Sequence, residues 1–258
     1  MADTFSTHHI TAPDGTRIAW HEMGEGRPVV LIHGYMSDAN TNWIRFGHAA
    51  KVAAKGFRVI MPDLRAHGQS DRPQDAAAYR PDVLAEDNEA LVAHLGLTDY
   101  DLGGYSLGAR TTMRMLDRGN VPMPARLIFV GMGLEGLTDT NRRGGHFRGI
   151  LDNLGNFERG SPQWMVEAFL KSTKGDPVAL RHILDTFVDT ELARIQTIRQ
   201  PTLVLAGEED DDNGSHRELA ETIPDADLAE VPGGHMSAVT KPELGNALAD
   251  WLGGPTRP

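Results

Sequence analysis

The sequence predicts an α/β protein: a doubly wound, mostly parallel sheet with a small helical cap inserted before one late strand. Three observations carry that reading. Short β-branched runs lack polar alternation, helical periodicity fills the stretches between them, and one long connection breaks the rhythm.

Residues 4–11 and 16–22 are extended in character and flank Pro13-Asp14-Gly15, punctuation that suits a hairpin turn. PVVLI (28–32) and FRVIM (57–61) follow, as expected for strands covered on both faces. Residues 83–95 place Val83, Leu84, Leu91, Val92 and Leu95 at helical spacings. Further strands are expected over 100–105, 126–130 and 202–206. Between Gly131 and Thr202 lie 70 residues, far beyond an ordinary α/β connection, so they must be structured. Their first part, 134–156, is Gly- and Arg-rich, while 164–171 and 178–187 have helical character with Trp164, Phe169, Ile183 and Phe187 as apolar anchors. The expected organisation is therefore a core of residues 1–133 and 198–258 interrupted by a helical cap over 134–197.

Composition narrows the function. The chain has 258 residues, enough to bury a full-sized core, and no cysteine, which removes disulfides, thiolate metal sites and cysteine nucleophiles together. Thirty-six acids against 25 bases give a formal charge of −11. Such a field repels phosphate backbones and anionic lipid, so neither nucleic acid nor a membrane is an expected partner. The first fifteen residues lack a basic head followed by an apolar run, and the expected location is cytoplasmic.

The sharpest local feature is Gly104-Tyr105-Ser106-Leu107-Gly108, where the strand pattern meets a helical one over 107–116. A serine forced into a tight strand-to-helix turn needs neighbours without side chains two residues before and after it. The helix start also aims backbone N–H groups and the positive dipole end at any anion formed there. A serine hydroxyl is a poor nucleophile until a base takes its proton. His235 follows a strand-like stretch (227–231) and Gly233-Gly234, so its loop can swing the ring over the sheet's carboxyl edge. The strand 202–206 runs into Gly207 and then Glu208, Glu209, Asp210, Asp211 and Asp212. Asp210 is the choice for orienting the imidazole, with Asp211 and Asp212 left open. A calcium loop fails on position: with Gly214 sixth, Glu209 would be first and Ala220 twelfth, so no metal is expected. Donors for a developing oxyanion are expected from the backbone N–H groups of Leu107 and of Tyr35, in the His33-Gly34-Tyr35-Met36-Ser37 loop. Tyr35, Met36 and Trp164 are candidate pocket-lining side chains. The loop from Asp63 to Ser70, with Arg65 and His67, reads as structural pairing and capping.

Together, His33-Gly34, the loop of residues 63–70, the Ser106 elbow, the segment 207–210 and Gly233-Gly234-His235 resemble the α/β-hydrolase superfamily in order and spacing. The resemblance runs from about residue 16 to 252 apart from the insertion, which in that family is the cap domain. It implies Ser106 as nucleophile, Asp210 as acid, His235 as base, and Tyr35 and Leu107 as oxyanion donors. Ala66 departs from the family, many members of which carry glycine before the histidine of that loop. Haloalkane dehalogenases and epoxide hydrolases of this fold carry aspartate where Ser106 stands, so the resemblance directs the expectation to acyl chemistry. The expected protein is a serine hydrolase acting on a small-molecule acyl ester or lactone, without a cofactor, as a monomer or homodimer. Alternatives are a ligand sensor or signalling protein of the same fold with little turnover, a C–C bond hydrolase, a perhydrolase or a lyase.

Overall fold

The computed structural model describes residues 4–254. The chain opens with β1 (Ser6–Thr11), β2 (Arg17–Met23), β3 (Arg27–Ile32), α1 (His48–Ala53), β4 (Phe57–Pro62), α2 (Val83–His94), β5 (Asp101–Tyr105), α3 (Leu107–Arg118) and β6 (Arg126–Val130). Helices α4 (Leu134–Thr138), α5 (Thr140–Leu151), α6 (Pro162–Ser172), α7 (Pro177–Ile183) and α8 (Leu192–Ile195) follow. The chain then returns through β7 (Thr202–Gly207), α9 (His216–Thr222), β8 (Ala226–Val231) and α10 (Pro242–Gly253). Among the described residues, eight strands form one sheet in the order β1-β2-β4-β3-β5-β6-β7-β8. Only the β1–β2 and β2–β4 pairs are antiparallel.

The central strands lack alternation because both faces are covered. Val29, Val30, Leu31 and Ile32 are all fully buried, and each such side chain contributes about 1.5–3 kcal/mol through apolar burial. One face packs against Val83 and Leu91 of α2, Met113 of α3 and Leu219 of α9. The other packs against Ala49 and Val52 of α1 and Leu244 and Leu248 of α10. No helix among the described residues is long and apolar enough to cross a membrane.

In the segment between β6 and β7 the structure differs from the expected elements. Residues 134–156 contain α5 despite their glycines, and the helix is started from a distance: the Asp189 carboxylate accepts the Thr140 N–H at 2.7 Å. The pattern over 178–187 stops early as a helix. After Ile183 the chain tightens into i to i+3 turns, with Asp185 N–H on His182 O at 3.0 Å and Thr186 N–H on Ile183 O at 3.1 Å.

The loop after β4 pairs and caps as its residue types suggest. Arg65, fully buried, forms a bidentate pair with Asp87 at 2.7 and 2.7 Å and reaches Asp14 of the β1–β2 turn at 2.8 Å. Asp63 accepts the Ala39 and Gln69 N–H groups at 2.9 and 2.8 Å. Ala66 sits at φ +67°, left-handed backbone that glycine would occupy more easily.

Strand order turns at β3, which has β4 on one side and β5 on the other. In open α/β sheets the crevice at such a point, at the carboxyl ends of the strands, is where ligands bind. The loops after β3, β5, β6, β7 and β8 all leave from that edge.

Candidate active site

Ser106 joins β5 to α3 at φ +52° and ψ −107°, a conformation that few non-glycine residues adopt. The turn is held by the Ser106 N–H on Val130 O at 2.8 Å. It closes because Gly104 and Gly108 let three backbones meet: a Cβ on either would overlap Ile32 O, and one on Gly104 would also press on Gly108. Gly34 lies against the same turn, where an added Cβ would stand 3.5 Å from Ser106 Cβ. Leu107 opens α3, so its N–H has no intrahelical acceptor.

The loops after β7 and β8 are laced together by Glu208 N–H on Val231 O (2.8 Å) and Glu209 N–H on Gly233 O (3.1 Å). That lacing sets Asp210, 5% exposed, beside His235. Both carboxylate oxygens reach Nδ1 of the ring, at 3.0 and 2.9 Å, so Nδ1 carries the proton and Nε2 is left as an acceptor. Tyr105 steadies the His235 loop by donating its hydroxyl to the His235 carbonyl. Burial, then the nearby Asp210 and Asp212 carboxylates, push that phenol well above its usual range and keep it a donor. Asp212 is drawn away to Arg143, at 2.5 Å, and Asp211 is exposed.

No hydrogen bond joins Ser106 to His235; His235 borders Gly131 by its ring, and Ser106 is linked to the same residue through Asn213. A Cβ on Gly131 would stand 3.2 Å from His235 Cε1, and the Gly131 carbonyl accepts Asn213 Nδ2 at 2.9 Å. The same Asn213 nitrogen lies 3.3 Å from Ser106 Oγ. Asn213 is a member of this cluster that the sequence did not flag. Its one available signal was position, three residues beyond Asp210 on the loop leaving the carboxyl end of β7.

In the loop after β3, Gly34 N–H goes to Asn42 Oδ1 (2.9 Å), Met36 N–H to His67 Nε2 (3.2 Å) and Ser37 N–H to Gly34 O (3.3 Å). Tyr35 N–H is the one between them without an acceptor among the described residues. The Tyr35 side chain turns outward from the sheet, donating to Leu180 O at 2.8 Å and meeting the Phe147 ring edge-on at 4.7 Å. Met36 is buried at φ +58°, and its carbonyl accepts the Thr173 hydroxyl at 2.8 Å. Two hydrogen bonds thus tie this loop to the helical segment after β6. Trp164 is half-buried at the start of α6, where its N–H is capped by Ser161 at 3.2 Å. No hydrogen bond or ring contact among the described residues brings it to Ser106 or His235.

Two neutral histidines prop this loop. His33 Nδ1 donates to Gly34 O (2.7 Å) while Nε2 accepts Leu64 N–H (2.9 Å); His67 Nδ1 donates to Arg65 O (2.8 Å) while Nε2 accepts Met36 N–H. A second proton on either ring would set donor against donor. Burial, aided by neighbouring His33, pushes His67 down to about 3, and burial lowers His33 too. Since the unfolded value is 6.5, the unfolded chain binds the extra proton. The contribution is complete above that value and is lost as pH falls toward 3. By about pH 5 the His67 share is expected to have dropped by about 2 kcal/mol. Urea melts at about pH 7.5 and about pH 5 measure it on wild type and H67Q, whose amide can donate and accept without titrating. A shallower pH dependence in H67Q is expected; parallel behaviour would exclude His67 as a source of acid sensitivity.

A sequence-family profile described as alpha/beta hydrolase fold matches residues 27–127. The AB hydrolase superfamily protein YisY of Bacillus subtilis (strain 168) is 29% identical over 232 residues, covering 79% of this chain and 81% of that protein. A non-heme haloperoxidase of Rhodococcus erythropolis is 35% identical over 124 residues, 47% of this chain and 43% of the relative. A thermophilic esterase from Thermogutta terrifontis, at 24% identity, superposes with a TM-score of 0.76 over 96% of this chain and 98% of that one, a likeness of fold.

Proposed function

The chain belongs to the α/β-hydrolase superfamily, and from that premise we propose that it is a serine hydrolase cleaving a small acyl ester or lactone through an acyl-enzyme. The observation that carries this reading is the imidazole held at Nδ1 by Asp210, with its ring bordering Gly131, whose carbonyl shares the Asn213 amide with the strained Ser106. An acid that fixes the tautomer leaves Nε2 as the base, and an elbow that exposes a hydroxyl has no packing purpose.

Ser106 Oγ accepts a hydrogen bond from Asn213, so its own proton is available to donate. In the proposed reaction that proton passes to His235 Nε2 as the oxygen attacks the carbonyl carbon; catalytic hydrogen bonds of this kind commonly tighten only when substrate is present. The oxyanion would rest on the N–H groups of Leu107 and Tyr35, each donor typically contributing about 2.7–4 kcal/mol. His235 then returns the proton to the leaving alcohol, and water releases the acyl group. Helices α4 to α8, within residues 134–197, are read as the cap over this site, with Tyr35 and Met36 at its floor.

A fluorophosphonate probe tests the reading, since it phosphonylates only an activated serine. One equivalent of label on the Ser106 peptide, and turnover of short-chain p-nitrophenyl esters, is the expected result. Absence of label, with ligands that raise the melting temperature but are not converted, would favour a sensor instead.

A further inference from the structure

Asn213 contacts the one atom on which the proposed reaction turns. The Gly131 carbonyl can only accept, so the Asn213 amide must present its nitrogen there, and that same nitrogen lies 3.3 Å from Ser106 Oγ. The residue is 4% exposed and is fixed through its backbone as well, its carbonyl accepting Gly136 N–H at 2.8 Å. Gly136 is gripped in turn by Arg110, whose Nε and Nη2 donate to its carbonyl at 3.0 and 2.8 Å. The Arg110 guanidinium rests 4.4 Å above the Phe187 ring. A donor anchored this firmly has little orientation left to lose when the oxygen it faces becomes charged.

We propose that Asn213 is a catalytic hydrogen-bond donor to Ser106 Oγ that hastens release of the acyl group from that serine. The inference rests on the acyl-enzyme reading above. At 3.3 Å the bond is long for a neutral hydroxyl, and hydrogen bonds to an oxygen gaining negative charge shorten and strengthen. In the acyl-enzyme Oγ is an ester oxygen and a poor acceptor, so the bond is weakest there. During deacylation water adds to the acyl carbon and gives its proton to His235. The tetrahedral intermediate then collapses, the C–Oγ bond breaks, its electron pair goes to Oγ, and His235 returns the proton. The Asn213 donor gains strength as that pair arrives. It therefore lowers the barrier out of the acyl-enzyme more than the barrier into it.

The test is N213L, close in volume and without a donor, with N213A, also without a donor, as a second variant should the first not fold. Fluorophosphonate titration counts the competent fraction, and intact-mass quench with p-nitrophenyl acetate follows formation and decay of acyl-Ser106. The expected result is formation within about threefold of wild type and a lifetime lengthened about tenfold, with kcat falling while kcat/KM is nearly kept. An unchanged lifetime, or equal loss in formation and decay as a mere loop latch would give, overturns the proposal. Failure of wild type to take the fluorophosphonate would instead strike at the acyl-enzyme reading itself.

Discussion

Replacing Ser106 with alanine is expected to lower ester turnover by about 10⁴-fold or more, because in the proposed reaction its hydroxyl supplies the attacking oxygen. Binding and the oxyanion donors would survive, so the residual rate should still exceed that of water. Glycine at the same position is expected to be equally inactive and to differ in stability. The backbone at φ +52° and ψ −107° is strained for any residue with a Cβ, at a cost on the order of 1–3 kcal/mol. Alanine keeps that Cβ and glycine removes it. Elsewhere glycine is worse than alanine by about 0.5–1 kcal/mol; here S106G should melt above S106A. Kinetics and thermal melts on the two variants check both halves. S106A turning over near the wild-type rate would place the chemistry elsewhere, and S106A melting above S106G would show that the elbow stores no strain.

That strain is also why the elbow was legible. Gly104 and Gly108 are spaced about a serine at a strand-to-helix junction, a local pattern with one geometric use, and the sheet follows from β-branched runs that need no tertiary information. Asp210 was less legible because Asp211 and Asp212 are chemically equivalent in sequence; the lacing of Glu208 to Val231 and Glu209 to Gly233 selects which of the three faces His235. Helix α9 carried an unused signal, Ser215 with Glu218 three residues on, and Ser215 does cap it at 3.1 Å. Helix α5 had no such signal. Its glycines argue against helix, and its cap, Asp189, arrives from 49 residues away. Asn213 was hidden for the same reason: in sequence Asn-Gly marks a turn, and only the fold brings its amide to Ser106 Oγ.

Asp210→Asn carries the second large effect, an expected loss of about 10⁴-fold in kcat with the fold retained. The physical cause is a proton on the wrong nitrogen. The two carboxylate oxygens 2.9 and 3.0 Å from Nδ1 accept from N–H there, which leaves Nε2 bare and basic. An amide nitrogen in that place would donate to Nδ1, moving the ring proton to Nε2, which in the proposed reaction must accept from the serine and then could not. D211N and D212N are the controls that make the assignment specific. Asp211 is exposed, and Asp212 spends its charge on Arg143, so either change should cost less than about tenfold. The rate of fluorophosphonate labelling should follow the same ranking, since it too depends on Nε2 taking the Ser106 proton. If D212N rather than D210N silenced both reactions, the carboxylate working on His235 would not be the one that touches it in the resting fold, and the loop after β7 would have to rearrange before the serine could act.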